Sequence, residues 1–352
     1  MRFSNNHLDE TAGVITPSLV FYRDAIINNI RHLIQLSGGG KRLWWRVDKH
    51  KTRELVELQI AMGLNHFICS TISEAEVASA AGAQNVLIIQ PLVGPNVSRL
   101  IDITLGMPQT QFWVVGDSLV ALQQLSYAAK ESGIIIPILL DITASAKRSD
   151  IPLKELSAFY TKASRLTGLK VRGLYCGDGC AHLHDIKRIQ ESIYACRMHC
   201  DTVVVGGNLS DAKGCEHFSA SDVSFVVNPV CFEHIAEPET NETGVILTRV
   251  ISHPTADTFM LDLGSKGIPF EQSHDGDING IHAKPMVQGE EYWIWQMESG
   301  CEAERPEIGT VLYVLPSNIS LSVVLYPDIL VAEDGKIVER WETAARARQL
   351  NY

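Results

Sequence analysis

The sequence predicts an α/β protein in which a (β/α)8 barrel of the TIM type carries a second, antiparallel β domain. Two observations predict this fold. From about residue 23 to residue 230, short apolar runs rich in β-branched residues alternate with segments of helical periodicity. After about Asn241, further strand-like runs follow one another without long helices between them. Apolar strands separated by helices are typical of a parallel sheet covered on both faces, and a repeated series of them predicts a barrel.

The predicted barrel strands are short and nearly continuous in apolar residues, as buried parallel strands are. They cover residues 86–90, 112–115, 134–140, 171–175, 202–205 and 223–227. Residues 52–63 have apolar side chains spaced by three and four, which predicts a helix. Ser73 and Glu76 have the spacing of an N-cap and its capping-box partner, so a second helix is expected to begin there.

The β domain is predicted from runs at residues 245–252, 258–263, 291–296, 310–315 and 329–332. The pair Asp334-Gly335 predicts a tight turn after the last of them. We place the barrel at residues 23–240 and the β domain at residues 1–22 plus 241–352. In a barrel of this kind the functional residues lie at the carboxyl ends of the strands.

Composition narrows the classes of function. The chain has 352 residues, a formal net charge of −11 and no long run of lysine or arginine, so we expect no nucleic-acid partner. No stretch approaches the roughly 18 apolar residues of a membrane span, and the polar residues 1–11 do not resemble a signal peptide. We therefore expect the eight cysteines to be free thiols. We expect a cytoplasmic protein that is not bound to a membrane.

Four segments stand in an order that is known from one enzyme family. They are Thr16-Pro-Ser-Leu, His50-Lys-Thr-Arg-Glu, Ser73-Glu-Ala-Glu and Asp262-Leu-Gly-Ser-Lys. Together they resemble the fold-type III enzymes that depend on pyridoxal phosphate (PLP), of the D-threonine aldolase and D-serine dehydratase kind. The resemblance spans nearly the whole chain. It implies an alanine-racemase-like barrel, a D-serine-dehydratase-like β domain, an amino-acid-like ligand and a homodimer.

The resemblance also locates the residue that anchors the cofactor. The family has a lysine that forms the Schiff base with PLP, and this chain has Asp48 at the matching position. A carboxylate cannot condense with an aldehyde. Lys49 is adjacent, but consecutive strand residues point to opposite faces, so only a bulge or a shifted register would bring it into the barrel mouth.

Other cofactor positions are changed as well. The glycine-rich turn that holds the PLP phosphate in the family corresponds here to Gly206, Gly207 and Asn208, followed by Leu209. Arg148 matches an arginine that lies beside the cofactor ring in the family, although a surface loop cation explains it equally well. We keep PLP open as a cofactor of this chain without assigning it.

The metal ligands of the family, two histidines and a cysteine, correspond to Ser299, Asn318 and Ser320. Neutral hydroxyl and amide groups are poor replacements for imidazole and thiolate on a zinc-like ion. We therefore expect that the metal site of the family is lost.

The candidate catalytic residues are Asp48, Lys49, Asp178 and Cys180, which are expected at strand ends. An aspartate and a cysteine can serve as base and nucleophile when a nearby cation lowers the pKa of the thiol; alternatively, the cysteines at 176 and 180 fill space that the cofactor left. The first hypothesis is a repurposed, PLP-independent lyase or isomerase acting on a small amino-acid-like molecule. The alternatives are a PLP-dependent aldolase, dehydratase or racemase that uses Lys49, and a non-catalytic ligand-binding or scaffold protein.

Overall fold

The computed structural model describes residues 7–142, 151, 155–177, 179–207, 209, 222–227, 243–269, 277–316 and 318–350. Its largest unit is a closed barrel of eight parallel strands, in which the last strand pairs with the first. The strands are β2 (Leu43–Arg46), β3 (His66–Cys69), β4 (Asn85–Ile88), β5 (Gln111–Gly116), β6 (Ile136–Asp141), β7 (Leu169–Cys176), β8 (Thr202–Val205) and β9 (Val223–Val227). The predicted (β/α)8 barrel is confirmed.

Helices follow the strands and cover the outside of the barrel. Within the described ranges they are α1 (Arg23–Leu36), α2 (Arg53–Ala61), α3 (Ile72–Ala80), α4 (Pro95–Gly106), α5 (Leu119–Glu131), α6 (Leu156–Ala163) and α7 (Leu183–Ala195). Their buried faces share one apolar core with outward-facing strand residues such as Trp45 and Phe67. None of the helices that the structure describes is long and apolar enough to cross a membrane.

The start of α3 differs from the prediction. Thr71, not Ser73, is the N-cap, and Glu74, not Glu76, completes the capping box. The pattern Ser/Thr-x-x-Glu occurs twice here, two residues apart, and the earlier copy is the one that caps the helix. Glu76 instead pairs with Arg99, at 3.0 Å.

Side chains fill the interior of the barrel. One buried residue from each strand contributes to a separate apolar cluster, whose members alternate along the chain with the outward-facing residues. The cluster comprises Trp44, Ile68, Leu87, Val115, Leu139, Tyr175, Val204 and Val226. The barrel is therefore a packed core, and ligands are expected at its mouth, where the carboxyl ends of the strands meet.

The second unit is a nine-stranded sheet in the order β13-β14-β11-β10-β1-β16-β17, with β15 on β10 and β12 on β15. Its strands are β1 (Ser18–Tyr22), β10 (Gly244–Ser252), β11 (Thr258–Leu261), β12 (Asp277–Ile278), β13 (Ala283–Gln288), β14 (Trp293–Met297), β15 (Val311–Leu315), β16 (Asp328–Glu333) and β17 (Lys336–Glu342). A short helix, α8 (Ile319–Val323), follows β15. The pairings are antiparallel except between β1 and β16, where the N-terminal strand enters the sheet parallel to a late one.

Candidate functional site

The candidate site begins where β2 ends at the mouth of the barrel. After Arg46 the chain leaves the strand, and the backbone amides of His50 and Lys51 both donate to the carbonyl of Val47, at 3.1 and 2.8 Å. Asp48 and Lys49 therefore lie in a tight turn. The premise that Asp48 and Lys49 are strand residues was wrong, so strand alternation does not apply to them.

Asp48 is held by Arg46 through two hydrogen bonds. Arg46 Nε lies 2.8 Å from Asp48 Oδ1, and Arg46 Nη2 lies 2.6 Å from Asp48 Oδ2. Burial by itself raises the pKa of Asp48, but the hydrogen bonds and charge of Arg46, with the charges of Lys49 and Lys51, hold it below its usual value. Asp48 is thus an ionised carboxylate that takes up a proton poorly, which makes it a better partner for a cation than a general base.

Lys49 connects the barrel mouth to the β domain. The residue is only 9% exposed, and its Nζ lies 3.3 Å from the Oγ of Ser320 at the start of α8. Ser320 Oγ in turn donates to Asn318 Oδ1 at 2.6 Å, and the same oxygen accepts from the Ser320 amide at 3.1 Å, so Asn318 caps the helix. Ser320 therefore links Lys49 to Asn318, and both Asn318 and Ser320 match metal-ligand positions of the resemblance.

Lys51, whose amide closes the same turn, forms a second ion pair with Glu74. Lys51 has a left-handed backbone conformation, with φ at 59°, and its Nζ donates to Glu74 Oε1. The Glu74 side chain is fully buried and its other oxygen accepts from the amides of Ser70, at 2.6 Å, and Thr71, at 3.3 Å. Burial raises the pKa of Glu74, Lys51 opposes that rise, and the charge of Asp48 adds to it. Glu74 links the capping of α3 to the charges of the mouth.

His50 is a buried neutral ring between these two ion pairs. Its Nδ1 accepts from the amide of Thr52 at 3.2 Å and lies 3.0 Å from the Thr52 hydroxyl. Burial lowers the pKa of His50 to about 3, an effect that Asp48 opposes and Lys51 reinforces. His50 therefore fixes the turn as a hydrogen-bond acceptor and stays uncharged over the physiological pH range.

The strands β7 and β8 end at the same mouth. Cys176, the last residue of β7, is fully buried within the apolar core, as expected of a cysteine that fills space. Cys180 lies in a 3-10 turn, Gly179–His182, but its side chain is outside the described part of the chain. Asp178, Arg148 and Asn208 also lie outside the described residues.

The glycines of the predicted phosphate turn have a structural reason of their own. The Gly206 amide donates to the carbonyl of Cys176 at 2.8 Å, and a Cβ on Gly206 would lie 2.2 Å from the carbonyl oxygen of Gly177. Gly207 has φ at 106°, which side chains rarely tolerate. Leu209 is 1% exposed and belongs to the main apolar core. The turn is thus anchored by packing on its C-terminal side.

The described residues at the Schiff-base position and at the metal-ligand positions of the resemblance are not the ones that PLP or a zinc-like ion requires there. At the position of the PLP lysine, Asp48 is an ionised carboxylate paired with Arg46, and a carboxylate cannot condense with an aldehyde. In the described ranges no three side chains of His, Cys, Asp or Glu converge on a point where a metal ion would bind. Ser320 donates to Asn318 and accepts from Lys49, and Ser299 is exposed.

Some residues of this site were missed from sequence. The sequence marked Glu74 only as a helix residue and Ser320 only as the counterpart of a metal ligand. Glu74 contacts Lys51 across 23 positions of the chain, and Ser320 contacts Lys49 across 271 positions. The spacing of two residues between Arg46 and Asp48 was a usable signal. An Arg-x-Asp at the end of a strand brings a fork of donors next to a carboxylate.

Comparisons with known proteins agree with this architecture. The family described as "Alanine racemase, N-terminal domain" matches residues 22–209, more than half of the chain, and the "Putative serine dehydratase domain" matches residues 244–332. The D-threonine aldolase of Arthrobacter sp. is 25% identical, over 96% of this chain and 94% of its own length.

Two solved structures show the same fold. The D-threonine aldolase of Filomicrobium marinum superposes with a TM-score of 0.83 at 20% identity, over 95% of this chain and 96% of that one. A D-threo-3-hydroxyaspartate dehydratase, in a cysteine-to-alanine variant described as metal-free, superposes with a TM-score of 0.78 at 20% identity, over 97% and 99% of the two chains.

Proposed function

Because the chain belongs to the family of the alanine racemase N-terminal domain, we propose that its barrel mouth binds a small amino-acid-like molecule and transforms it, as a lyase or isomerase, without PLP. The observation that carries this proposal is the Arg46–Asp48 pair at the strand end. A carboxylate there rules out a lysine adduct at position 48 and offers a fixed negative charge instead.

The electrostatics of the turn suggest how the ligand is oriented. An ionised carboxylate at Asp48 binds the ammonium group of an amino acid, and the neighbouring Lys49 and Lys51 attract its carboxylate. Because the pKa of Asp48 is lowered, we assign to Asp48 the binding of the ligand's ammonium group. We assign proton transfer to another group, and Asp178, two positions after the last residue of β7 in the sequence, is our candidate.

The names of the relatives supply the probes for a binding test. Isothermal titration of the purified chain with D-threonine and with 3-hydroxy-D-aspartate, without added PLP, measures the affinity. We expect binding that is weakened at least tenfold by Asp48→Asn and left unchanged by Asp24→Asn, a substitution at an exposed position of α1. Equal affinity in the native chain and Asp48→Asn would contradict the role of Asp48.

Turnover separates a catalyst from a binding protein. Product analysis of the same mixtures should show conversion, and Asp48→Asn should slow it at low substrate concentration because that variant binds the substrate more weakly. Binding without turnover, together with tolerance of Asp48→Asn, would instead support the non-catalytic ligand-binding or scaffold function.

A second candidate is a PLP enzyme anchored on Lys49. It is favoured by one observation, that Lys49 lies in a turn at the barrel mouth and not in a strand that turns it away. Absorbance spectra before and after adding PLP, borohydride reduction and peptide mass analysis decide between the two. An adduct on Lys49, lost in Lys49→Ala and kept in Lys51→Ala, would overturn the PLP-independent proposal.

A further inference from the structure

A lysine ammonium occupies the junction between the two units of the molecule. Lys49 Nζ lies 3.3 Å from Ser320 Oγ, and Ser320 Oγ lies 2.6 Å from Asn318 Oδ1. Lys49 is nearly buried, and its charge also lowers the pKa of Asp48. The junction thus contains a cation that contacts the Ser320 hydroxyl, and this hydroxyl in turn donates to the amide oxygen of Asn318.

The donor set at this junction suits an ammonium better than a metal ion. A neutral hydroxyl and an amide oxygen accept hydrogen bonds from an ammonium, but they are weak ligands for a zinc-like ion. A divalent cation that approached Ser320 would also meet the positive charge of Lys49 at hydrogen-bond distance, where repulsion is strong and little screened by solvent. The weak ligands and the repulsion by Lys49 both disfavour a divalent ion at Asn318 and Ser320.

We propose that the Lys49 ammonium replaces a divalent metal at this junction, as a built-in cation that holds Asn318 and Ser320 and excludes metal ions from them. The sequence resemblance placed both residues at metal-ligand positions, and the structure puts Lys49 Nζ 3.3 Å from Ser320 Oγ. The proposal holds for any amino-acid-like ligand that the barrel mouth binds without a covalent bond to Lys49, and it is incompatible with a Schiff base on Lys49.

The test rebuilds two metal ligands and then removes the ammonium. A chain with Asn318→His and Ser320→Cys is compared with the same chain carrying Lys49→Met in addition. Each is titrated with Co²⁺, and binding is followed by the near-ultraviolet absorbance that a cobalt–thiolate bond produces. We expect Co²⁺ to bind at least tenfold more tightly when Lys49 is replaced, because the repulsion is gone.

Two controls separate the loss of the Lys49 charge from other effects of the substitution. Lys49→Gln removes the charge but keeps a hydrogen-bonding group for residue 320, so it should tighten Co²⁺ binding like Lys49→Met even if the methionine packs poorly. Lys266→Met removes a lysine that is 58% exposed and paired with Glu290 and Glu291, and it should leave the affinity unchanged. Circular dichroism confirms that each variant is folded.

The proposal is overturned by any of three results. The first is that neither Lys49→Met nor Lys49→Gln changes the affinity for Co²⁺. The second is that the rebuilt site binds no Co²⁺ even when the ammonium is removed, which would show that Lys49 is not what excludes the metal. The third is tight binding of one Co²⁺ by the native chain that is lost on Ser320→Ala.

Discussion

Arg46 and Asp48 form a two-point ion pair in which the arginine ends a barrel strand and the aspartate begins the turn that follows. Both carboxylate oxygens are engaged, at 2.8 and 2.6 Å. The side chains are 31% and 15% exposed, so the pair is shielded from water on most sides. Such a fork-to-carboxylate contact fixes the direction of the carboxylate as well as its charge.

The first prediction measures the coupling of this pair. A double-mutant cycle with Arg46→Met and Asp48→Asn, followed by urea unfolding at pH 7, should give a coupling free energy of about 1–2 kcal/mol. Each single variant leaves the other polar group without its main partner, so the double variant should lose less stability than the two single losses combined. A coupling near zero would mean that the pair does not form in solution.

The second prediction concerns Lys51 and the fully buried Glu74. Lys51→Met leaves a buried carboxylate without its cation, so we expect a loss of about 3–5 kcal/mol in the free energy of unfolding at pH 8. Burial already raises the pKa of Glu74, and removing Lys51 raises it further.

The pH dependence of that loss has a definite sign. An acid whose pKa is raised on folding binds its proton more tightly when folded, so stability falls as pH rises above the unfolded value of 4.5. Urea unfolding at pH 5 and pH 8 should therefore show a smaller penalty for Lys51→Met at the lower pH. Adding Glu74→Gln removes the titrating group and should abolish this difference; its persistence would assign the effect to other residues.

The third prediction follows from the buried ring of His50. Its folded pKa of about 3 lies below the ordinary value of 6.5, so the unfolded chain takes up a proton that the folded chain refuses. Stability from this residue is complete above pH 6.5 and is lost as pH falls toward 3. Between pH 7 and pH 5 the native chain should lose about 2 kcal/mol more than His50→Gln. Parallel pH profiles for the two proteins would show that folding does not lower the pKa of His50.

The sequence predicted the barrel better than it predicted the β domain. Strands such as β5 and β8 are buried on both faces, so a short apolar run marks each of them. Strand β13 reads Ala-Lys-Pro-Met-Val-Gln and is largely exposed, while β17 is exposed over its first five residues. Edge strands carry little apolar signal, since their pairing depends on a neighbour that is distant in sequence.

The site was predictable in its residues but not in its contacts. Asp48 and Lys49 stood out from the sequence resemblance, but their geometry depends on the turn that begins after Arg46. No periodicity marks the end of a four-residue strand such as β2, and boundaries are the least predictable feature of an element. The partner of Lys49 lies in another unit of the fold, and only tertiary structure brings Ser320 to it.

The fourth prediction separates a packing role from a cofactor role for Gly206. In Gly206→Ala the new Cβ would lie 2.2 Å from the carbonyl oxygen and 2.9 Å from the carbonyl carbon of Gly177, and backbone atoms cannot rotate away. The ends of β7 and β8 must then move apart, so we expect a loss of about 1–3 kcal/mol in the free energy of unfolding with no PLP present. Gly106→Ala is the matched control, because its Cβ would meet no atom within 4 Å at the end of α4. That variant should be neutral or slightly more stable. If Gly206→Ala is as stable as Gly106→Ala, the close approach of the two strand ends does not require glycine, and a ligand becomes the better explanation for it.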